Sequence, residues 1–222
     1  MKSNLIRFFC LFISFTGCES FTEKTENLTI NRGKGSFNPK GEKIGKWDYE
    51  EGDKSFEISW DPIYSKDKSI IKPMDWVNIK SNSTEFLFRP DLDSPEYIVF
   101  LEFDLNRVSL KSYIQKVISS LNSGGEIYSS SFYKLNLEVG EIYIIYHSKM
   151  EEDGDFKYAS AYMEKGNVFY DLTMKFSNSG SSNKGYRIFE EVLESVKIEG
   201  VKLGSSPVVN KVKLDLNDLS NS

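Results

Sequence analysis

Alternation of apolar and polar residues with a period of two recurs along the middle of this 222-residue chain and constrains its fold more than any other feature. In the first such segment Phe56, Ile58 and Trp60 fall on one face. The same pattern continues through Tyr97–Leu105 and Val168–Phe176. A two-residue period is typical of half-buried β-strands. Further strands are predicted at Phe86–Phe88, Ile127–Leu137, Glu141–Lys149 and Phe156–Met163. Because only short turn-forming segments separate the last strands, we expect an antiparallel meander.

Two segments change to the period of a helix. In Ser109–Leu121 the apolar residues recur at i, i+3, i+4, i+7, i+8 and i+11, which places them on one stripe. Ser109 is a favourable N-cap, and Gly124 follows as a helix terminator. The second predicted helix covers Asn183–Val196. The sequence therefore predicts an α+β fold, in which an antiparallel β-sheet meander is flanked by two amphipathic helices.

The N-terminus has the features of a secretion signal. Lys2 and Arg7 form a short basic region, and Phe8–Phe15 is almost entirely apolar. That run is far shorter than the roughly 20 apolar residues that a membrane-spanning helix needs. Its length and flanks are typical of a signal peptide, which we place at residues 1–17.

The end of this segment, Phe15-Thr16-Gly17-Cys18, resembles the lipobox of bacterial lipoproteins. Phe15 departs from the pattern, because Leu, Val or Ile is usual there. The resemblance implies that Cys18 is lipidated and becomes the first residue of the mature protein. It also implies a location in the bacterial cell envelope, anchored to the outer or inner membrane and facing the periplasm or the cell surface. Polar residues 18–40 would then form a lipidated tether, and residues 204–222 a weakly patterned C-terminal tail with room for one more strand.

Charge and composition limit the partners that this chain could have. Its formal net charge is −5 without a dense basic stripe, which argues against a nucleic-acid partner. Hydrophobic residues make up 39% of the chain, enough for the core of one domain of ordinary size.

Residues 41–54 contain Gly41-Glu-Lys-Ile-Gly45-Lys-Trp47-Asp-Tyr49, which resembles one unit of a MORN-like repeat. Such units are β-hairpins that stack in arrays, and a single unit cannot bury its own face. Two alternatives stay open: a MORN-like hairpin of its own, or a hairpin that extends the main sheet.

Residues 55–203 resemble the PsbP/Mog1-like family. The resemblance lies in the order of strands and helices, in Pro73-Met-Asp-Trp76, and in the late hairpin that contains Tyr162 and Tyr170. It implies a three-layer α/β/α sandwich that binds or adapts other proteins. It implies no catalytic residue, because the family shares no catalytic motif.

The sequence contains few residues suited to catalysis or to metal binding. The chain has one histidine, His147, and its two cysteines are Cys18 and one in the predicted leader, so a catalytic triad or a zinc site lacks its residues. The acidic run Glu151–Asp155 lacks EF-hand spacing and predicts a turn rather than a calcium site. Glu102 and Asp104 could form a pair of carboxylates for glycoside hydrolysis, but a solvated strand face produces the same pattern. We therefore predict no catalytic residue, no cofactor and no metal ligand.

Tyrosines are concentrated in the meander, where they favour half-buried strands or, if exposed together, a binding face. The preferred hypothesis is a non-enzymatic, membrane-anchored lipoprotein that binds a protein partner, as a toxin immunity or adaptor protein. The alternative is a periplasmic carrier of a small molecule or glycan held between sheet and helix. A hydrolase would require clustered, buried carboxylates with perturbed pKa values.

Overall fold

A computed structural model of the chain describes residues 33–51, 53–105, 108–123, 127–137, 140–178, 182–203 and 211–213. The predicted signal peptide, Cys18 and the first part of the predicted tether lie outside these residues. Most of the predicted C-terminal tail also lies outside them.

The described chain consists of fourteen strands and two helices. In chain order they are β1 Lys34–Phe37, β2 Lys43–Glu51, β3 Lys54–Tyr64, β4 Lys68–Pro73, β5 Val77–Ser81, β6 Glu85–Arg89, β7 Tyr97–Phe103, α1 Leu110–Ser123, β8 Ile127–Leu137, β9 Gly140–Glu151, β10 Gly154–Lys165, β11 Val168–Ser177, α2 Ser182–Ser195, β12 Lys197–Ile198, β13 Val201–Lys202 and β14 Lys211–Lys213. They form a six-stranded sheet, in the order β1-β2-β3-β4-β12-β13, and an eight-stranded sheet, in the order β14-β8-β9-β10-β11-β7-β6-β5. The described pairings are antiparallel, so the α+β prediction is confirmed, whereas the alternation did not show that the strands divide between two sheets.

The predicted meander is present as β8, β9, β10 and β11, which pair in sequence. Its turns lie where the sequence places glycine. Gly166 has a φ angle of 66° in the turn between β10 and β11, a backbone conformation that residues other than glycine rarely adopt. The register of Lys165 opposite Val168 follows from that tight connection.

Helix α1 covers one face of the eight-stranded sheet. Its residues Leu110, Ile114 and Ile118 pack in one cluster with sheet residues that include Tyr143 and Phe169. The helical stripe predicted from the sequence is therefore the buried stripe. Each fully buried aliphatic or aromatic side chain contributes about 1.5–3 kcal/mol relative to leaving it in water.

The other face of this sheet is covered by α2 together with the six-stranded sheet. Phe189 and Val192 of α2 join Trp60 of β3 and Leu172 of β11 in the larger core cluster. Trp60 is fully buried, and its indole N–H donates to the Tyr49 hydroxyl at 2.9 Å.

Strand β4 was missed because it does not alternate. All of its six residues are buried, and Ile70 and Ile71 pack next to each other in the chain within the same core. A strand covered on both faces carries apolar residues in a run, which a period of two does not detect.

The segment that resembles a MORN-like unit provides β2, which pairs along most of its length with β3. Trp47 lies opposite Ile58, and both belong to the larger core cluster. Residues 41–54 are thus continuous with the six-stranded sheet.

Candidate functional site

A groove and an adjoining strand edge form a candidate binding surface in the described structure. We define the Trp76 groove by its lining residues: Glu57, Ile58, Ser59, Pro73, Met74, Asp75, Trp76, Lys184 and Ile188. It is an open groove of about 390 Å³, located where the end of β4 meets the start of α2. The side chains that line it are both apolar and charged: those of the core cluster form the bottom of the groove, and charged groups form its rim.

The turn between β4 and β5 shapes this groove. The Met74 N–H donates to the Ser59 carbonyl oxygen at 2.7 Å, and the Trp76 N–H donates to the Pro73 carbonyl oxygen at 3.1 Å. The buried ammonium of Lys72 donates to the carbonyl oxygens of Pro73 and Met74, at 3.2 and 3.4 Å. These contacts fix the turn, so Trp76 is buried to 9% exposure while Met74 stays 52% exposed. The Pro73–Trp76 motif singled out from the sequence lies in this turn.

Strand β5 follows the groove directly and is an edge of the eight-stranded sheet. All five of its residues are exposed, including Val77 at 38% and Ile79 at 40%. Together with Met74 they place three large apolar side chains in water within a short stretch of chain. Single exposed apolar residues are ordinary, but contiguous ones mark interaction surfaces.

The rim of the Trp76 groove carries an acidic group that is not ion-paired. Glu57 is ion-paired with Lys46 across the hairpin of β2 and β3. The Asp75 carboxylate has no hydrogen bond or ion pair to any described residue and is exposed.

Other polar groups of the structure form buried networks that join elements of the fold. Glu42 is one centre: its carboxylate accepts hydrogen bonds from Tyr64, from Asn38 at 2.9 Å, from Ser69 at 3.1 Å and from Lys197 at 3.1 Å. Burial alone would raise the pKa of Glu42, but the hydrogen bonds from Tyr64, Asn38 and Lys197 lower it to about 2. This carboxylate holds β3, β4 and β12 to the start of β2.

Lys43 and Glu191 form a second buried pair, between β2 and α2. The Lys43 ammonium lies 2.5 Å from the Glu191 carboxylate, and it also lies over the Trp47 and Tyr49 rings at 4.0 and 5.3 Å. Burial lowers the pKa of Lys43 and raises the pKa of Glu191 despite their mutual attraction. The pair fixes the position of α2 at the cost of desolvating both charges.

His147 does not meet a nucleophile among the described residues. Its ring stacks on Tyr158 with a centroid distance of 4.5 Å and an interplanar angle of 1°, and its Nδ1 has no hydrogen-bond partner in the part of the chain that the structure describes. Burial, followed by the nearby Lys149, lowers the pKa of His147 to about 4, so the ring is neutral at physiological pH. Next to it Glu151 accepts from the Tyr158 hydroxyl and from Lys175, the latter at 2.6 Å.

Asp171 is a buried carboxyl that lacks a positively charged partner among the described residues. It lies on the face of β11 covered by α1, opposite Tyr162 on β10, and part of the residue still reaches solvent. Its carboxylate accepts from the Thr173 hydroxyl at 2.7 Å, and Thr173 in turn lies 2.8 Å from the Ser160 hydroxyl. Burial raises the pKa of Asp171 to about 6, and the Thr173 hydrogen bond offsets only part of that shift.

The structure shows where the carboxylates considered for hydrolysis lie, and whether acidic side chains cluster around a metal site. Glu102 lies 2.7 Å from the Lys68 ammonium, at the end of the strand face that buries Ile98 and Phe100, and Asp104 is exposed beyond the strand. The strand face that we expected to meet solvent is therefore a core face. Among the described residues, no group of three or more His, Cys, Asp and Glu side chains is arranged to hold a metal ion.

The tyrosines of the meander do not form one exposed face. Tyr143, Tyr162 and Tyr170 are buried, whereas Tyr133, Tyr146 and Tyr158 are half-buried. The side chain of Tyr128 lies outside the described residues. Burial raises the pKa of Tyr143 to about 12, with a further contribution from its hydrogen bond to Glu141.

Comparison with known proteins gives neighbours in structure only. The solution structure of cyanobacterial PsbP (CyanoP) from Synechocystis matches with a TM-score of 0.45 and 11% sequence identity, covering 64% of this chain and 93% of that chain. A crystal structure of a protein from Bacteroides thetaiotaomicron matches with a TM-score of 0.39 and 18% identity, covering 62% of this chain. This chain spans 46% of the length of that Bacteroides protein. No family model and no curated protein matches the sequence.

The sequence analysis named Pro73–Trp76 as part of a family resemblance, but it did not predict the groove or the exposed strand next to that motif. The exposed residues Val77 and Ile79 alternate with polar neighbours, as the residues of any half-buried strand do. The sequence carries no signal that β5 is an edge strand.

Among the described residues, no helix is long and apolar enough to cross a membrane.

Proposed function

We propose that this chain is a lipid-anchored protein of the bacterial cell envelope that binds another protein and catalyses no reaction. Lipid attachment at Cys18 rests on the apolar leader and on the lipobox-like sequence that ends at that residue. Residues 55–203 are proposed as a PsbP/Mog1-like domain, on the motif at Pro73–Trp76 and on the order of elements around it. A toxin immunity or adaptor protein is the specific form of this proposal.

The binding role is carried by one observation, the exposed apolar edge at Met74, Val77 and Ile79 beside the Trp76 groove. Covering large apolar side chains with a partner removes them from water, which stabilises the complex by roughly 25 cal/mol per Å² of apolar surface. Exposed apolar patches mark sites where another molecule binds, and these three residues lie within six positions of the chain.

The anchor is tested by cell fractionation. Replacement of Cys18→Ser should move the protein from the membrane fraction to the soluble envelope fraction, since acyl chains supply the binding to the bilayer. Retention of the variant in the membrane fraction would contradict the proposed anchor.

The binding role is tested in cells that carry a photo-crosslinking amino acid in place of Ile79. Val201 is a matched control, because it is also an exposed apolar residue on an edge strand, but of the other sheet. A discrete adduct from position 79 and none from position 201 would support a protein partner at the apolar edge. No adduct from either position would contradict the binding role.

A carrier of a small molecule or glycan is the second candidate, favoured by the same groove. A volume of about 390 Å³ between the six-stranded sheet and α2 suits a small ligand, which would contact Trp76 and Ile188. Calorimetric titration with envelope sugars and metabolites separates the two candidates. A ligand whose binding is lost in Trp76→Ala, while the crosslinked adduct stays, would favour the carrier.

A further inference from the structure

Strand β5 has a free edge in the described structure, and this determines how a partner could bind. We propose, resting on the protein-binding function above, that an extended segment of the partner adds to β5 as a further strand. In this arrangement an apolar side chain of that segment enters the Trp76 groove, and a Lys or Arg beside it pairs with Asp75.

The backbone of β5 supports this mode. Among the described strands β5 pairs only with β6, so its other edge presents backbone N–H and C=O groups to water. An exposed edge is a template for an incoming strand, since each added pair of residues satisfies backbone groups that water satisfied before. Val77 and Ile79 supply apolar side chains along the same edge.

Strand β5 has two features that usually prevent another strand from pairing with an edge, a register shift and a lysine, but neither blocks the edge of β5. A register shift between Asn78 and Lys80 bends the strand, which restricts the registers that a partner can use. The charge of Lys80 is directed to Glu85 on β6 by an ion pair within the chain. The edge is therefore selective but not blocked, as a specific interaction requires.

The groove and its rim indicate the chemistry of the partner. Ile58, Trp76 and Ile188 offer an apolar floor, and the open volume of about 390 Å³ accommodates a large aliphatic or aromatic side chain. The Asp75 carboxylate has no ion pair among the described residues, although Lys184 also lines the groove, so a basic residue of the partner can form an ion pair with Asp75. An apolar residue next to Lys or Arg in an extended segment meets both requirements.

Two other occupants fit less well. In a second copy of this chain, Lys80, the basic residue of β5, is already ion-paired with Glu85 of the same copy and is therefore a poor partner for Asp75. Anionic lipid headgroups would be repelled by the carboxylate at the rim, since charged surfaces bind membranes through basic residues.

The probe is a displayed library of random twelve-residue peptides, selected against the full chain carrying Cys18→Ser. Selected peptides should share an apolar residue adjacent to Lys or Arg, and their dissociation constants are then measured by fluorescence anisotropy. We expect Ile79→Lys and Asp75→Lys each to weaken binding by about tenfold or more, equivalent to about 1.4 kcal/mol. Val201→Lys, the matched control on the edge of the other sheet, should leave the dissociation constant unchanged. Circular dichroism of each variant checks that it is folded.

Backbone methylation of the peptide distinguishes strand addition from groove binding alone. N-methyl groups at alternate residues remove donors that a new strand needs, and one of the two alternate sets should abolish binding while the other is tolerated. Equal tolerance of both sets, or binding that is insensitive to Ile79→Lys, would overturn the inference. Selection of no peptide would also overturn it.

These results are separable from the protein-binding function itself. A crosslinked partner at another surface, together with no peptide binding at β5, would refute strand addition and leave the binding role in place. A dimer in light scattering that Ile79→Lys dissociates would make a second copy the occupant. Adsorption to anionic vesicles that Ile79→Lys abolishes would make lipid the occupant, and either result would refute a separate protein partner at this edge.

Discussion

Replacing Asp171 with asparagine should stabilise the protein at neutral pH. The carboxyl lies on the face of the sheet that α1 covers, with a hydrogen bond from Thr173 at 2.7 Å and with no cation beside it among the described residues. Burial raises the pKa of this carboxyl from 3.8 to about 6. At 1.36 kcal/mol per pKa unit, the ionised form costs the folded state about 3 kcal/mol at pH 7 and above.

The sign of the pH dependence follows from the raised pKa. Well below pH 4 Asp171 is protonated in both the folded and the unfolded chain, and no penalty exists. As the pH rises from about 4 to about 6, the unfolded chain releases its proton first, so the free energy of unfolding falls. Above pH 6 the penalty approaches its full value.

The side chain introduced by Asp171→Asn would remain neutral throughout, and its carbonyl oxygen can still accept from Thr173. The added NH₂ group loses about 1 kcal/mol if it stays without a partner. We therefore expect Asp171→Asn to raise the free energy of unfolding by about 2 kcal/mol at pH 7.5 and to lower it by about 0.5 kcal/mol at pH 4, where the NH₂ loss outweighs the small charge penalty.

Urea unfolding followed by tryptophan fluorescence at pH 4, 5, 6 and 7.5 measures this difference, with the full chain carrying Cys18→Ser. The difference between Asp171→Asn and the parent isolates Asp171 from other titrating groups. Asp48→Asn is the matched control, because Asp48 is an exposed aspartate on a strand. A variant that is less stable than the parent at pH 7.5, or equally displaced at every pH, would refute the reasoning.

Three further predictions follow from the core. The pKa of His147, measured by NMR of its ring protons, should be about 4, and stability should fall as pH drops from 6.5 toward 4; a value near 6.5 contradicts the burial of this ring. Glu191→Ala should cost about 3–5 kcal/mol in urea unfolding because the buried Lys43 ammonium loses the carboxylate that neutralises it, and Lys43→Met should restore part of it; equal losses that simply add would exclude coupling between the two. Gly185→Ala should destabilise by about 1–3 kcal/mol, despite the higher helix propensity of alanine, because its Cβ would lie 2.3 Å from the Phe176 ring; an increase in melting temperature would show that α2 can shift.

Several of the strands and helices that the sequence predicted have buried positions that recur regularly, whereas β9 and β10, which contain runs buried on both faces, were predicted together with the turns that separate them. In Tyr97–Leu105 and Leu110–Leu121 the buried positions recur with the period of the element, so the pattern carries the structure. Strand β4 is buried on both faces, and its run Ile70-Ile71 has no period to detect. Even for Tyr97–Leu105 the alternation does not indicate which face is the core, because Ile98 and Phe100 lie in the larger core cluster although the opposite face carries more apolar residues.

The division into two sheets and the binding edge could not be predicted from one sequence. Pairing of β12 with β4 joins residues that are more than 120 positions apart, and no local pattern encodes it. Ile79 lies on β5, the last strand of its sheet, and that position depends on which strands pair elsewhere. The proposal of Cys18 as the lipid attachment site, in contrast, rests on local sequence alone, and the described residues do not include Cys18.

The most direct test of the central claim is photo-crosslinking of the full-length protein in the cells that make it, with the reactive group at position 79 and, separately, at position 201. The account predicts one discrete protein adduct from position 79, lost when Asp75 is also replaced by lysine, and none from position 201. An absence of adducts from position 79, or the same adducts from both positions, would contradict a protein-binding role for this edge.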